Sequence, residues 1–427
     1  MMRLPILTLF ILAGTVPPSL VHAQPEVRRL YQEASEALRN GDAATYLKRF
    51  EQALPFRENH PLVMLRIAEG HALTGDSDAA LDWLNRIAAL GISMPLQEDA
   101  RLNSLFEHPG FREVEARMKG HEGPIVASST ALALPLKGWI FEDVVRDPDS
   151  GDFFLSSVRH RQVLRVSPGG EWRSIATAKD GLLAVTGLAL DTKTRTLYTV
   201  SAPQPHMDDF ANDGKRRAEL IAISLEQGHA INRIPISEKI DAPSPGDLAL
   251  DSEGNVYISD GQNPGIYRWK KDEAEATLWL RDEHFSALQG LVLFEDPELL
   301  IVADYSRSLW RIDLRDKTVA VIKPIVGVSL AGIDGLARDG DSLIATQNGI
   351  NPARVLRIRL DQSKSKVESV TVLEKNNPAW DEPTLGSIHN GAFYYISNSQ
   401  WNRFDGNGKV SDENTLRDLT VLRLPLH

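Results

Sequence analysis

The stretch GDLALDSEGNVYISD, Gly246 to Asp260, carries the pattern from which the fold can be read. Leu248, Ala249 and Leu250 form a short apolar run, Asp251 to Gly254 a polar turn, and Val256 to Ser259 a second run. Two such runs joined by a glycine-containing turn read as a β-hairpin. The same word returns as FEDVVRDPDSGDFFLSS from Phe141, TGLALDTKTRTLYTVS from Thr186 and QGLVLFEDPELLIVAD from Gln289. It returns again as DGLARDGDSLIAT from Asp334 and GSIHNGAFYYIS from Gly386. The six starts lie about 42 to 60 residues apart. Most hairpins are followed by a third apolar run (QVLRVS, GIYRWK, SLWRIDL, RVLRIRL), and several by a fourth (ATLWLR, VAVIKPI, VESVTVL).

Six four-stranded units with no helical crossovers between strands specify an all-β, six-bladed β-propeller over residues 138–427. The final run, LTVLRLPL, is expected to close the ring by pairing with the first blade, because closure removes exposed strand edges.

Upstream the period changes from 2 towards 3.6. VRRLYQEASEALRNGD and LVMLRIAEGHALTGD both end in Gly-Asp, and Gly41 and Gly75 lie 34 residues apart. That is the period of a helix-turn-helix repeat, so residues 24–119 resemble a short tetratricopeptide array. Two readings stay open for it: a groove for a protein partner, or a structural cap packed on the next domain. Residues 120–137, with few helix signals, read as the linker.

The first 23 residues read as an export signal. Arg3 precedes an apolar run from Leu4 to Ala13, and Val21-His22-Ala23 fits the small-x-Ala cleavage pattern. The apolar run is too short for a transmembrane anchor, which needs roughly 20 residues. A periplasmic or secreted location after cleavage near Ala23 is expected. The absence of cysteine from the 427 residues excludes disulfides, thiolate metal sites and a cysteine nucleophile. A net charge of −11 argues against nucleic acid as a partner. Neither a G-x-S-x-G nor an H-E-x-x-H motif occurs.

In a propeller the innermost strands line the central channel, so the residues opening them converge although far apart in sequence. Here these are Glu142, Thr186 or Gly187, Gly246-Asp247, Gln289, Asp334, and Gly386 or Ser387. Carboxylates and amide oxygens without thiols suit a hard divalent cation, Ca²⁺ or Mg²⁺ rather than Zn²⁺.

These blade openings resemble the senescence marker protein/gluconolactonase family, which includes regucalcin; the resemblance spans residues 138–427. It implies a metal-dependent lactonase, with the metal held by a Glu of the first blade, an Asn of a middle blade and the Asp of a later "DG" pair. Transferred to this chain, the ligands are Glu142, Gln289 and Asp334, and Asp334 is also the catalytic general base. The family's "ND" pair falls on Gly246-Asp247, where its substrate-binding Asn has become Gly, and Arg146 stands where a first-blade Trp is expected. These departures keep a second reading open, a non-catalytic ligand- or protein-binding scaffold with a degenerate axial metal site.

Further candidates for the channel mouth are Asp247, Asn348, Asn398 and Gln400, with Asn351 and Arg354 in the fifth blade and Glu382, His389 and Trp401 in the sixth. The polar insertion after the second blade's inner strands carries His206, Asp208 and Asp209, a candidate lid or weak metal site.

Overall fold

The computed structural model describes residues 25–211, 217–226, 229–237, 243–296 and 298–427. The expected export signal therefore lies outside the described residues. No described helix is long and apolar enough to cross a membrane.

Among the described residues five α-helices come first: α1 (Pro25–Arg39), α2 (Ala43–Ala53), α3 (Pro61–Thr74), α4 (Ser77–Ala89) and α5 (Pro109–Gly120). The two Gly-Asp turns shape two helical hairpins. Gly41 and Gly75 adopt φ of 74° and 86°, a left-handed conformation that glycine reaches without a Cβ penalty. Asp42 and Asp76 then cap α2 and α4 by accepting from the N–H groups of Thr45 and Ala79. Small residues let the helices pack closely, with Ala34, Ala68 and Ala80 fully buried. After α4 the hairpin pattern is not repeated. Residues 96–105 form short 3₁₀ turns, and only α5 follows.

The rest is six four-stranded antiparallel sheets. Strand β1 (Ser129–Leu134) precedes the first blade, β2 to β5 (Phe141–Arg146, Phe153–Ser157, Gln162–Val166, Trp172–Ala176). The second blade is β6 to β9 (Ala184–Asp191, Thr196–Ala202, Glu219–Ser224, His229–Pro235), and the third β10 to β13 (Pro245–Leu250, Val256–Asp260, Gly265–Trp269, Thr277–Leu280). The fourth is β14 to β17 (Leu288–Glu295, Glu298–Asp304, Leu309–Asp313, Val319–Val321), and the fifth β18 to β21 (Ile333–Asp339, Ser342–Gln347, Arg354–Leu360, Val367–Lys375). The sixth takes β22 to β24 (Gly386–His389, Ala392–Ile396, Leu419–Pro425) and borrows β1 as its outer strand.

Ring closure therefore differs from expectation. LTVLRLPL does not pair with the first blade: β24 lies between β23 and β1, with Leu134 opposite Leu419. The stretch read as linker supplies the closing strand, because alternate burial of Leu132 and Leu134 gives it a core-facing side. Each gap between blades holds its own apolar cluster, for example Leu134, Phe141, Leu155 and Val421 between the sixth and first. The inner strands touch in a closed ring, β2–β6–β10–β14–β18–β22–β2.

Candidate functional site

Five of the six inner strands begin with a β-bulge. Register shifts fall between Phe141 and Val144, Val185 and Leu188, Pro245 and Leu248, Leu288 and Leu291, and Ile333 and Gly335. The bulged residues are Glu142-Asp143, Thr186-Gly187, Gly246-Asp247, Gln289-Gly290 and Asp334. A bulge re-aims side chains and leaves ladder groups unpaired. Hydroxyls of the neighbouring strands satisfy several of these: Ser156 and Ser259 accept from the N–H of Asp143 and Asp247, and Thr199 donates to the carbonyl of Gly187. In the sixth blade the position belongs to Thr384-Leu385 rather than Gly386 or Ser387. Leu385 N–H and the Thr384 hydroxyl both donate to the Glu142 carbonyl, at 3.1 and 2.8 Å.

In the first four blades the second bulge residue alternates between aspartate and glycine for a packing reason. Asp143 accepts from Val144 N–H at 2.7 Å and, across the blade gap, from Leu188 N–H at 2.8 Å. Asp247 repeats this with Leu248 at 2.8 Å and Leu291 at 3.3 Å. The receiving strands carry Gly187 and Gly290, which let the next blade approach in turn: a Cβ on Gly187 would stand 2.8 Å from Asp247 Cα, and one on Gly290 2.6 Å from the Asp334 carbonyl oxygen. Asp247 thus uses both carboxylate oxygens as an inter-blade staple, which is where the structure puts this expected mouth residue. Asp143, which the sequence reading passed over, does the same. Its signal was present in the ED and GD pairs opening blades one and three.

Three carboxylates, those of Glu142, Asp334 and Glu382, lie near enough at the mouth to feel one another's charge. Trp401 Nε1–H donates to Glu142 at 2.6 Å, and Asn348 Nδ2–H donates to Asp334 at 2.7 Å and to the Pro383 carbonyl at 2.9 Å. Glu382 accepts from Asn402 N–H at 3.0 Å and holds a left-handed φ of 69°, a conformation costing a non-glycine residue about 1 kcal/mol or more. Burial pushes the Asp334 carboxyl up to about 6 and Glu382 to about 8, the latter reinforced by the charge of Asp334. Glu142 is raised well above its ordinary value by burial and then by Asp334. Tyr305, a mouth residue the sequence reading missed, is raised by burial and by the charges of Asp334 and Glu382. Its position in the loop after β15, matching that of Asn348 after β19, was the signal available.

A cleft of about 200 Å³ opens beside these groups. Its lining includes Tyr305, Asn348, Asn351, Asn402, Trp380 and Glu382, and among the described residues no Arg, Lys or His side chain lines it.

Gln289 turns towards the third blade: its Oε1 lies 3.3 Å from where a Gly246 Cβ would stand. The longer amide thus fills space vacated by the missing side chain. Among the described residues no three Asp, Glu or His side chains converge closely enough to cage a metal alone. Any cation would therefore need amide oxygens beside Glu142 and Asp334. Asn348 Oδ1 meets that requirement, being buried without a hydrogen-bond partner among the described residues. In donor chemistry the residues fit a hard cation.

Other expected mouth residues are occupied elsewhere. Asn398 donates to the Asp418 carbonyl and accepts from Thr420 N–H, while the Gln400 amide donates to the Asn398 and Arg417 carbonyls and accepts from Arg417 N–H. They brace the loop that presents Trp401. His389 lies at the far end of β22. In the second-blade insertion, Asp208 bonds His160 Nδ1 at 2.6 Å and Asp209 lies 3.8 Å from Arg161, so these two carboxylates are held by the first blade. His206 meets the Trp401 ring edge-on at 4.9 Å, carrying the insertion across the first blade to the sixth.

No protein-family model and no curated relative matches the chain. Similar solved structures include a gluconolactonase from Xanthomonas campestris, at 14% identity and TM-score 0.46, covering 69% of this chain and 88% of that one. A luciferin-regenerating enzyme matches at 12% identity and TM-score 0.48, over 70% of this chain and 95% of its own. A PQQ-bound aldose sugar dehydrogenase from Streptomyces coelicolor matches at 13% identity and TM-score 0.47, over 71% and 99%. The likeness is one of architecture, shared by proteins with different activities.

Proposed function

We propose that the channel mouth binds one divalent cation, Ca²⁺ or Mg²⁺ in preference to Zn²⁺, and that the exported protein hydrolyses a lactone or related ester. The observation carrying this reading is the buried, unpartnered Asn348 Oδ1 beside Asp334, across the mouth from Glu142. Glu142, Asp334 and the amides of Asn348 and Gln289 would hold the cation. When bound, the cation supplies Lewis-acid polarisation of the substrate carbonyl.

The chain's own groups do the rest. Asp334, oriented by Asn348, is the general base that takes a proton from the attacking water. Glu382 lines the cleft and retains its proton at neutral pH, so it serves as acid to the leaving alkoxide. Two carboxyls whose environments separate their proton affinities divide the two roles. Trp401 holds Glu142 in place by its indole N–H.

Gly246 favours the second reading, a ligand-binding scaffold, because the side chain that would hold substrate there is absent. Calorimetric titration of Ca²⁺, Mg²⁺, Mn²⁺ and Zn²⁺ into metal-stripped protein starting at Gln24 separates the two. Saturable one-site binding, lost in Asp334→Asn and Glu142→Gln, is expected, followed by turnover on a lactone and ester panel. Variants that keep full affinity would sink the site. Binding without turnover would leave the scaffold.

A further inference from the structure

The loops that carry Tyr305 and Asn348 are held from outside the propeller. Ile350, two residues after Asn348, is buried in the helical core with Leu90 and Ile92. Ser93 N–H donates to the Asn351 carbonyl at 2.7 Å. Arg354, 7% exposed, donates from Nη1 to the Leu90 carbonyl and from Nε to Gln347 Oε1, both at 3.1 Å. Gln347 directly precedes Asn348, and its amide nitrogen donates to the carbonyls of Ser329 and Ala331. This guanidinium therefore joins the end of α4 to the residue that sets Asn348.

A second arm reaches the neighbouring loop. Arg57, 2% exposed, donates to Ser286 Oγ at 3.0 Å. The half-buried His60 ring lies near the backbone of Ser306, beside Tyr305, and is held neutral by burial and by the charge of Arg57. The two loops also meet directly, since a Cβ on Gly349 would lie 2.7 Å from the Tyr305 ring. Both arginines are held through neutral carbonyl, amide and hydroxyl partners. Burying a cation on such partners is expensive, and an apolar contact would join two domains at lower cost. What the guanidinium adds is direction, because its planar fork fixes two acceptors at once.

We infer that the helical domain is part of the site's framework, and that Arg354 and Arg57 are positioning residues for Asn348 and Tyr305. This rests on the reading of the mouth as a cation and ligand site. The face of the helical domain turned to the propeller is accordingly taken up by loops of the same chain.

The test uses the chain from Gln24 to His427, with Arg354→Met, Arg57→Met and the milder Arg354→Lys. Amide hydrogen exchange and Mn²⁺ titration are the readouts. Arg354→Met should speed exchange in residues 347–353, and Arg57→Met in residues 304–308, with β6 and β7 unchanged in both. Mn²⁺ affinity should fall roughly tenfold in Arg354→Met, as for outer supports of metal ligands, and less in Arg354→Lys. Exchange that is unchanged in both loops, or accelerated uniformly over the propeller, overturns the inference. If the parent protein binds no Mn²⁺, the cation reading fails, and loop-specific exchange alone decides whether the arginines position these loops.

Discussion

At Gly290 a Cβ would stand 2.6 Å from the Asp334 carbonyl oxygen and 2.6 Å from the Leu336 nitrogen. At Gly246 the nearest atom would be the mobile end of Gln289, at 3.3 Å. The two glycines open equivalent strands, yet one leaves room for a neighbouring backbone and the other only for a side chain. Gly290→Ala must push the chain that carries Asp334. It should cost about 1–3 kcal/mol, as overpacking does, and weaken cation binding with it. Gly246→Ala should stay within about 0.5 kcal/mol of the parent, because only a side chain must move. Urea unfolding of both variants checks this, and equal losses would count against the bulge geometry as the cause.

Among the elements, β1 and β24 are the pair that closes the ring. A propeller with an open gap would expose strand edges on both sides of it. Here the strand that enters the fold first and the strand that leaves it last share one sheet. Leu134 is 4% exposed and packs in the cluster that joins the sixth blade to the first. Leu134→Ala should therefore cost about 3 kcal/mol, within the usual span for a buried leucine. The expected signature is a lower urea midpoint for the whole propeller, read by tryptophan fluorescence. A loss confined to residues 120–134, with the blades unaffected, would show that β1 decorates the ring and does not close it.

At the scale of the molecule, the axis concentrates buried carboxyls whose proton affinities are raised. Asp334 lies near 6, Asp143 near 7 and Glu382 near 8, each through burial first. In the unfolded chain such groups ionise near pH 4. Between pH 4 and 8 the folded state thus binds more protons than the unfolded state, so stability falls as pH rises. The cation-free protein should melt at progressively lower temperature from pH 5 to pH 8. Millimolar Ca²⁺ should raise the melting temperature more at pH 8 than at pH 5, because the carboxylates it compensates are then ionised. A melting temperature that is flat across this range would mean the axial carboxyls ionise in the folded protein as they do in water.

The six hairpin words, their spacing and the switch from a 3.6 to a 2 period determined the propeller, because alternation along a strand is a local property that follows from which face is buried. That Glu142, Gln289 and Asp334 each open an inner strand was legible for the same reason. The Gly-Asp turns of the helical hairpins were equally local. Only the tertiary structure decided which strand closes the ring, because STALAL has too weak a pattern to announce its partner Leu419 nearly 300 residues away. It also decided that Asp247 staples blades, that Asn398 and Gln400 brace a loop, and that Tyr305 and Glu382 join Asp334 at the mouth. Each of these outcomes depends on contacts between blades, or between propeller and helices. Such contacts are set by bulge geometry and backbone approach, which no single blade's sequence contains.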